Sequence, residues 1–163
     1  MPDAQTPADS ASVLVHWMGP ADTNNHGTVH GGTVLKLADE VAALVGIRHA
    51  RREVVTAGTD RVTFLAPIAQ GELVTLQASL NAVWRTSMEV GVRVSAERVG
   101  AGTPPRHTNS AYFTVVALDE EGRPVEVPPL RCETEEERRR EREAQTRRSN
   151  RLAERAELLG GRE

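Results

Sequence analysis

Between Pro20 and Glu40 the chain reads PADTNNHGTVHGGTVLKLADE, and this stretch holds the residues best suited to chemistry. Gly31 and Gly32 stand where a helix begins, so their N–H groups are unshielded by side chains at the positive end of the helix dipole. That arrangement can hold a carbonyl oxygen or a developing oxyanion, although a Gly pair also serves tight turns and close packing. Asp39 follows inside an apolar run, Leu37, Ala38, Val41 and Ala42. An acid there either pairs with a cation for structure or is held for use, and burial would raise its pKa and make it a better general base. Asn24 and Asn25 precede the glycines. Asparagine in loops is ordinarily turn chemistry, yet an amide beside the Gly pair could orient a water or polarise a carbonyl. His26 and His30 are four apart but lie in a Gly-containing loop without the acid of an HExxH pattern, so no metal site is expected. His30 is read as holding the loop through hydrogen bonds.

Helix arithmetic constrains how these groups cooperate. Asp39 lies eight residues past Gly31, or roughly 12 Å along one helix, too far for both to act on one carbonyl. Two copies with antiparallel helices would bring the Gly31 end of one to the Asp39 region of the other, making two equivalent sites. The spacing therefore predicts a homodimer.

The elements that must position these residues are legible in the periodicity. From Gly31 to about Ala50 apolar residues cover most of the helix circumference, which predicts a largely buried helix, with Glu40 on its solvent or interface side. A short β-rich run, Ser12 to Met18, precedes it. Strict alternation in Glu72 to Trp84 and Met88 to Val99 predicts antiparallel strands with one wet face, and Val54 to Leu65 and Thr108 to Leu118 complete the pattern. A short segment, Val125 to Val127, follows the Asp119–Gly122 turn. The fold class is α+β: a long central helix wrapped by an antiparallel sheet of about five to six strands. The expected organisation is a disordered lead over residues 1–11, a domain over 12–130 and a charged helical tail over 131–163. Thr134 and Glu137 fit a capping box for that tail, which reads as a solvated helix over the domain or a neighbouring subunit.

Composition excludes several classes. Twenty basic residues against 23 acidic ones give no support for nucleic-acid or membrane binding. The interleaved charges of the tail argue equally against an RNA-binding arm. Cys132 is the lone cysteine, so no intramolecular disulfide can form. The opening MPDAQTPADSAS lacks a basic region followed by an apolar run, no segment approaches the ~18 apolar residues of a membrane span, and a cytoplasmic location is expected.

DTNNHGTVHGGTVLKLADEVA, VTAGTDRVTFLAPIAQGELV, RTSMEVGVRV and AYFTVVALDEEGRPVEVP, in that order, resemble the hot-dog-fold acyl-CoA thioesterases, above all the cytosolic, brain-type acyl-CoA hydrolases and their single-domain bacterial relatives. The similarity runs over roughly residues 12 to 145. It implies a hot-dog fold paired into double hot dogs, often joined as hexamers, and hydrolysis of acyl-CoA to free acid and CoA with no separate cofactor. It further implies a catalytic Asn three residues before a Gly, here Asn24 before Gly27, and a catalytic Asp in the helix, here Asp39. Arg61, Arg85, Thr86 and Ser87 become candidate CoA contacts, since the resemblance puts RTSM on a strand near the nucleotide; they could equally be ordinary wet-face residues. A non-catalytic acyl-CoA sensor is the alternative from another class. A hot-dog dehydratase is a further competitor, but its acid and His arrangement cannot be placed in this helix.

Overall fold

The structure, a computed structural model, describes residues 3–160. Its elements are α1 (Pro7–Ser10), β1 (Ser12–Trp17), α2 (Gly31–Ala50), β2 (Val54–Thr59), β3 (Leu73–Val83), β4 (Ser87–Glu97), β5 (Arg106–Ala117) and α3 (Glu135–Gly160). The five strands form one antiparallel sheet in the order β1-β3-β4-β5-β2, and this hot-dog arrangement curls around α2. Alternation decides which face meets the helix: Val74, Leu76, Ala78 and Leu80 on β3, and Val90, Val92, Val94 and Ala96 on β4, are buried.

Val34, Leu37, Ala38, Val41, Ala42 and Val45 form the buried stripe of α2. Close approach to the sheet depends on Gly46, where a Cβ would fall 3.0 Å from Val115 and 3.3 Å from Val54. The helix ends at Arg51, whose φ of 53° lets its amide cap the Ile47 carbonyl at 2.8 Å. Sequence periodicity predicts a helix covered nearly all round; in the single chain the sheet covers one side, and Leu44 and Ile47 stay 40% and 44% exposed.

Two other elements differ from expectation. The strand expected over Val54 to Leu65 stops at Thr59, after a bulge between Thr56 and Gly58. Beyond it Asp60 turns toward α3 and binds Arg151 at 2.8 Å, while Leu65 is held by its amide to the Thr108 carbonyl at 2.8 Å. The lead, expected to be disordered, is ordered from Gln5 onward. The Gln5 amide and carbonyl bond Pro129 and Arg131, its side chain bonds the His49 carbonyl at 3.0 Å, and Pro7 and Ser10 are buried. The short segment Val125 to Val127 forms a strap, tied by its amides to the carbonyls of Ala117 and Arg85. Residues 1–2 and 161–163 of the expected lead and tail lie outside the described residues.

The tail forms the expected helix. Glu137 and Thr134 make the reciprocal capping bonds at 3.2 and 2.9 Å. Glu135 pairs with Arg138 and Arg142, and Arg139 with Glu136 and Glu143. α3 is anchored through a buried carboxylate: Glu89 is 0% exposed and binds Arg147 at 2.6 Å and Arg151 at 3.3 Å, while the Arg147 guanidinium lies 3.8 Å over the Tyr112 ring. No helix among the described residues is long and apolar enough to cross a membrane.

Candidate active site

The loop before α2 is built by two side chains. Asp22 accepts the Gly19 amide at 2.7 Å and lies 3.1 Å from His16 Nε2, and its carbonyl receives the His30 amide at 2.9 Å. The Gly19 bond, and after it His16, hold the Asp22 carboxyl below the usual range against the opposing effect of burial. Asn24 organises the next turn. Its Oδ1 accepts the His26 amide at 2.9 Å and the Thr28 amide at 3.3 Å, and its Nδ2 donates to the Thr28 hydroxyl at 2.9 Å. Gly27, at φ 75°, closes the turn onto the Asn24 carbonyl. Asn24 thus does the turn chemistry ordinary for its type, and one of its two amide hydrogens is left for another acceptor. His30 holds the loop through its backbone: its ring is exposed and makes no hydrogen bond among the described residues, while its carbonyl receives the Thr33 and Val34 amides.

The entrance to α2 matches the sequence reading. No side chain caps it and no acid lies in the first turn, and the Gly31 and Gly32 N–H groups meet no acceptor among the described residues. A Cβ on Gly32 would meet nothing within 4 Å, so the approach is open. These amides can receive negative oxygen.

Asp39 lies farther along the same helix. It is not sealed by the sheet, as its apolar neighbours suggest, but half-exposed beside β2, where Thr56 Oγ1 donates to its Oδ1 at 2.6 Å. The sequence reading missed Thr56, because threonine in a strand is unremarkable there; only its position on the strand next to the helix acid distinguishes it. β2 is the sheet's edge, and Val55 to Thr59 are exposed along it.

The candidate CoA contacts are scattered in one chain. Arg85 and Thr86 form the β3–β4 turn and Ser87 opens β4 opposite Val116, whereas Arg61 follows Asp60, whose amide bonds Tyr112. Val116 and Tyr112 are four residues apart on β5, roughly 13 Å. Arg61 and Arg85 are exposed. Among the described residues no group of three or more His, Cys, Asp or Glu is placed to hold a metal.

A five-stranded antiparallel sheet around one long helix is the hot-dog architecture, and here it carries an uncapped Gly-Gly helix entrance and a Thr-held acid. Residues 26–102 match the Thioesterase superfamily. The cytosolic acyl coenzyme A thioester hydrolase of Rattus norvegicus is 41% identical over 85% of this chain, which spans 37% of that longer relative. An acyl-CoA thioester hydrolase of Bacillus subtilis is also 41% identical, over 83% of this chain and 78% of its own length. An apo-hexameric acyl-CoA thioesterase superposes with a TM-score of 0.90 at 37% identity, covering 95% of this chain and 99% of that one. The acyl-CoA hydrolase of Staphylococcus aureus, solved with butyryl coenzyme A, coenzyme A and coenzyme A disulfide, gives 0.89 at 34% identity, covering 97% and 96%. Solved variants of the S. aureus hydrolase replace an Asn, an Asp and a Thr by Ala, 15 and 17 residues apart in that order. The chain belongs to the hot-dog-fold acyl-CoA thioesterases of the Thioesterase superfamily.

Proposed function

We propose that this protein hydrolyses acyl-CoA to a free acid and CoA at sites shared between two copies of the chain. The observation that carries the reading is the Thr56–Asp39 hydrogen bond at the exposed edge of the sheet, distant along α2 from the uncapped Gly31–Gly32 entrance. Asn24, Asp39 and Thr56 are separated by 15 and 17 residues, the intervals of the three positions replaced in the S. aureus hydrolase.

In this mechanism the Gly31 and Gly32 N–H groups of one subunit receive the thioester oxygen as it gains negative charge. The Asp39 carboxylate of the other subunit removes a proton from water, which attacks the carbonyl carbon; the tetrahedral intermediate expels the CoA thiolate, and Asp39 returns the proton to it. Direct attack by Asp39 is the other route, through an acyl-enzyme anhydride that water then opens. Single-turnover hydrolysis in heavy-oxygen water separates them, since only the anhydride route can leave label in Asp39. Thr56 fixes one carboxylate oxygen and leaves the second free. The spare Nδ2 hydrogen of Asn24 orients the water or the carbonyl. The reaction uses only water and the CoA that arrives with the substrate, so no cofactor is needed. Arg61, Arg85, Thr86 and Ser87 are proposed to meet the CoA portion, where guanidinium groups match phosphate.

The unpaired edge of β2 and the exposed Leu44, Ile47 and Val55 support a homodimer joined edge to edge with its helices antiparallel. Three such dimers would make a hexamer, the state of the apo-hexameric relative. A cytoplasmic location is proposed from the cytosolic relatives. Thiol release from acetyl- through palmitoyl-CoA tests the activity, with Asp39→Asn as control. The expected result is release that Asp39→Asn abolishes; acyl-CoA binding without release would make the protein a sensor and end the hydrolase reading.

A further inference from the structure

A cavity of about 290 Å³ opens beside the α2 entrance. Apolar side chains, Val29, Val34, Phe64, Pro67 and Ile68, make the larger part of its wall, and Thr28 joins it to the Asn24 turn. It is therefore continuous with the place where the thioester oxygen is proposed to sit. Gly31 lines it as well: a Cβ there would fall 3.1 Å from Phe64 Cζ and 3.2 Å from Cε2. The missing side chain lets the Phe64 ring lie against the helix entrance, so Gly31 offers both an open amide and room for that ring.

The segment carrying Phe64 is fixed on both sides: before it, the Asp60 amide bonds the Tyr112 carbonyl at 3.0 Å. The Leu65 amide bonds the Thr108 carbonyl at 2.8 Å, and Arg106 binds the Pro67 carbonyl at 2.7 Å while pairing with the buried Glu72. Glu72 in turn accepts the Ala69 amide at 2.8 Å. A ring held this way is a wall of fixed position, and its 45% exposure leaves one side facing whatever enters.

We propose that this cavity receives the acyl chain of the substrate and that Phe64 sets the longest chain it accepts. The proposal rests on the acyl-CoA reading above. At roughly 30 Å³ per carbon, about that of a water molecule in the liquid, the part of the cavity that one chain supplies has room for about nine or ten carbons. Each buried methylene tightens binding up to about four-fold, so affinity climbs with chain length until the cavity is full and then levels off.

The test separates binding from hydrolysis. Titration calorimetry on the Asp39→Asn protein with acetyl-, butyryl-, octanoyl-, dodecanoyl- and palmitoyl-CoA is repeated after adding Phe64→Ala, Phe64→Leu or Phe64→Trp. Affinity is expected to level off near octanoyl-CoA with Phe64, at a shorter chain with Trp, and at a longer one with Ala or Leu, the ratio of dodecanoyl to butyryl affinity changing by about ten-fold between Trp and Ala. The Leu and Trp variants decide the matter should the Ala variant not fold. Identical length profiles at every residue 64 would overturn the assignment. Thiol release over the same series by chains retaining Asp39 is read independently: a shifted binding profile without release ends the hydrolase reading and leaves the pocket standing, whereas release with an unshifted profile does the reverse.

Discussion

Replacing Thr56 by alanine removes the one side-chain hydrogen bond that Asp39 makes among the described residues, and does so at an exposed position where no core packing is lost. A bond to a charged acceptor contributes about 1.5–3 kcal/mol, so kcat for acyl-CoA is expected to fall about 10- to 100-fold with KM nearly constant. Thr56→Ser, which keeps the hydroxyl, should recover most of that loss, while a KM effect alone would remove Thr56 from the catalytic geometry. Asn24 calls for a different substitution because it has two jobs. Asn24→Asp keeps an oxygen for the His26 and Thr28 amides, so the turn should survive, but loses the spare donor and adds a charge where the thioester is proposed to lie. Activity is expected to collapse while the melting temperature stays within about 2 °C, a shift of about 0.5–1 kcal/mol for a chain of this size. An active Asn24→Asp enzyme would mean that Asn24 serves the loop alone.

The Arg106–Glu72 clamp belongs to the scale of elements, since it ties the Pro67–Ala69 loop to the start of β5. The Arg106 guanidinium, aided by the Ala69 amide, holds the Glu72 carboxyl below its ordinary value despite burial. A folded pKa below the unfolded one means the stabilisation is complete above the unfolded value, about 4.3, and is lost as pH falls through the folded value. Glu72→Gln should therefore lower the melting temperature at neutral pH, with the difference from wild type closing as the pH drops below about 4; a gap independent of pH would show that the clamp's charge contributes nothing. The segment just before this loop is where the sequence is least legible. The long alternating strands and the Gly31–Ala50 helix could be read residue by residue, because period and propensity both specify them. The shortened β2 could not, because its end is set by a bulge and by Asp60 turning to Arg151, contacts with residues far along the chain. The ordered lead escaped notice for the same reason: Gln5 gains its structure from Pro129, Arg131 and His49. Asn24, Gly31, Gly32 and Asp39 can be proposed from sequence because they cluster in one stretch, whereas Thr56 and Phe64 join that stretch only through the fold.

For the whole molecule two assemblies matter, the docking of α3 on its own sheet and the pairing of chains. Arg147 meets a fully buried carboxylate and an aromatic face, while Arg139 pairs with exposed acids on its own helix. Exposed pairs contribute about 0–1 kcal/mol and breaking a buried one costs about 3–5, so Arg147→Ala should lower the melting temperature by several degrees and Arg139→Ala hardly at all. Equal effects in thermal melts would argue that α3 is held mainly by its apolar contacts. The proposed shared site allows a stricter test, because Asp39→Asn and Asn24→Asp would each disable a different half of it. A dimer formed from one chain of each kind contains one site with both defects and one with neither, its Asn24 and glycine amides coming from the first chain and its Asp39 from the second. Random reassortment makes half the dimers mixed, so combining the two inactive proteins after unfolding and refolding together should restore about a quarter of wild-type thiol release. Were Asn24 and Asp39 of the same chain to serve one site, every site in the mixture would carry a defect and no activity would return.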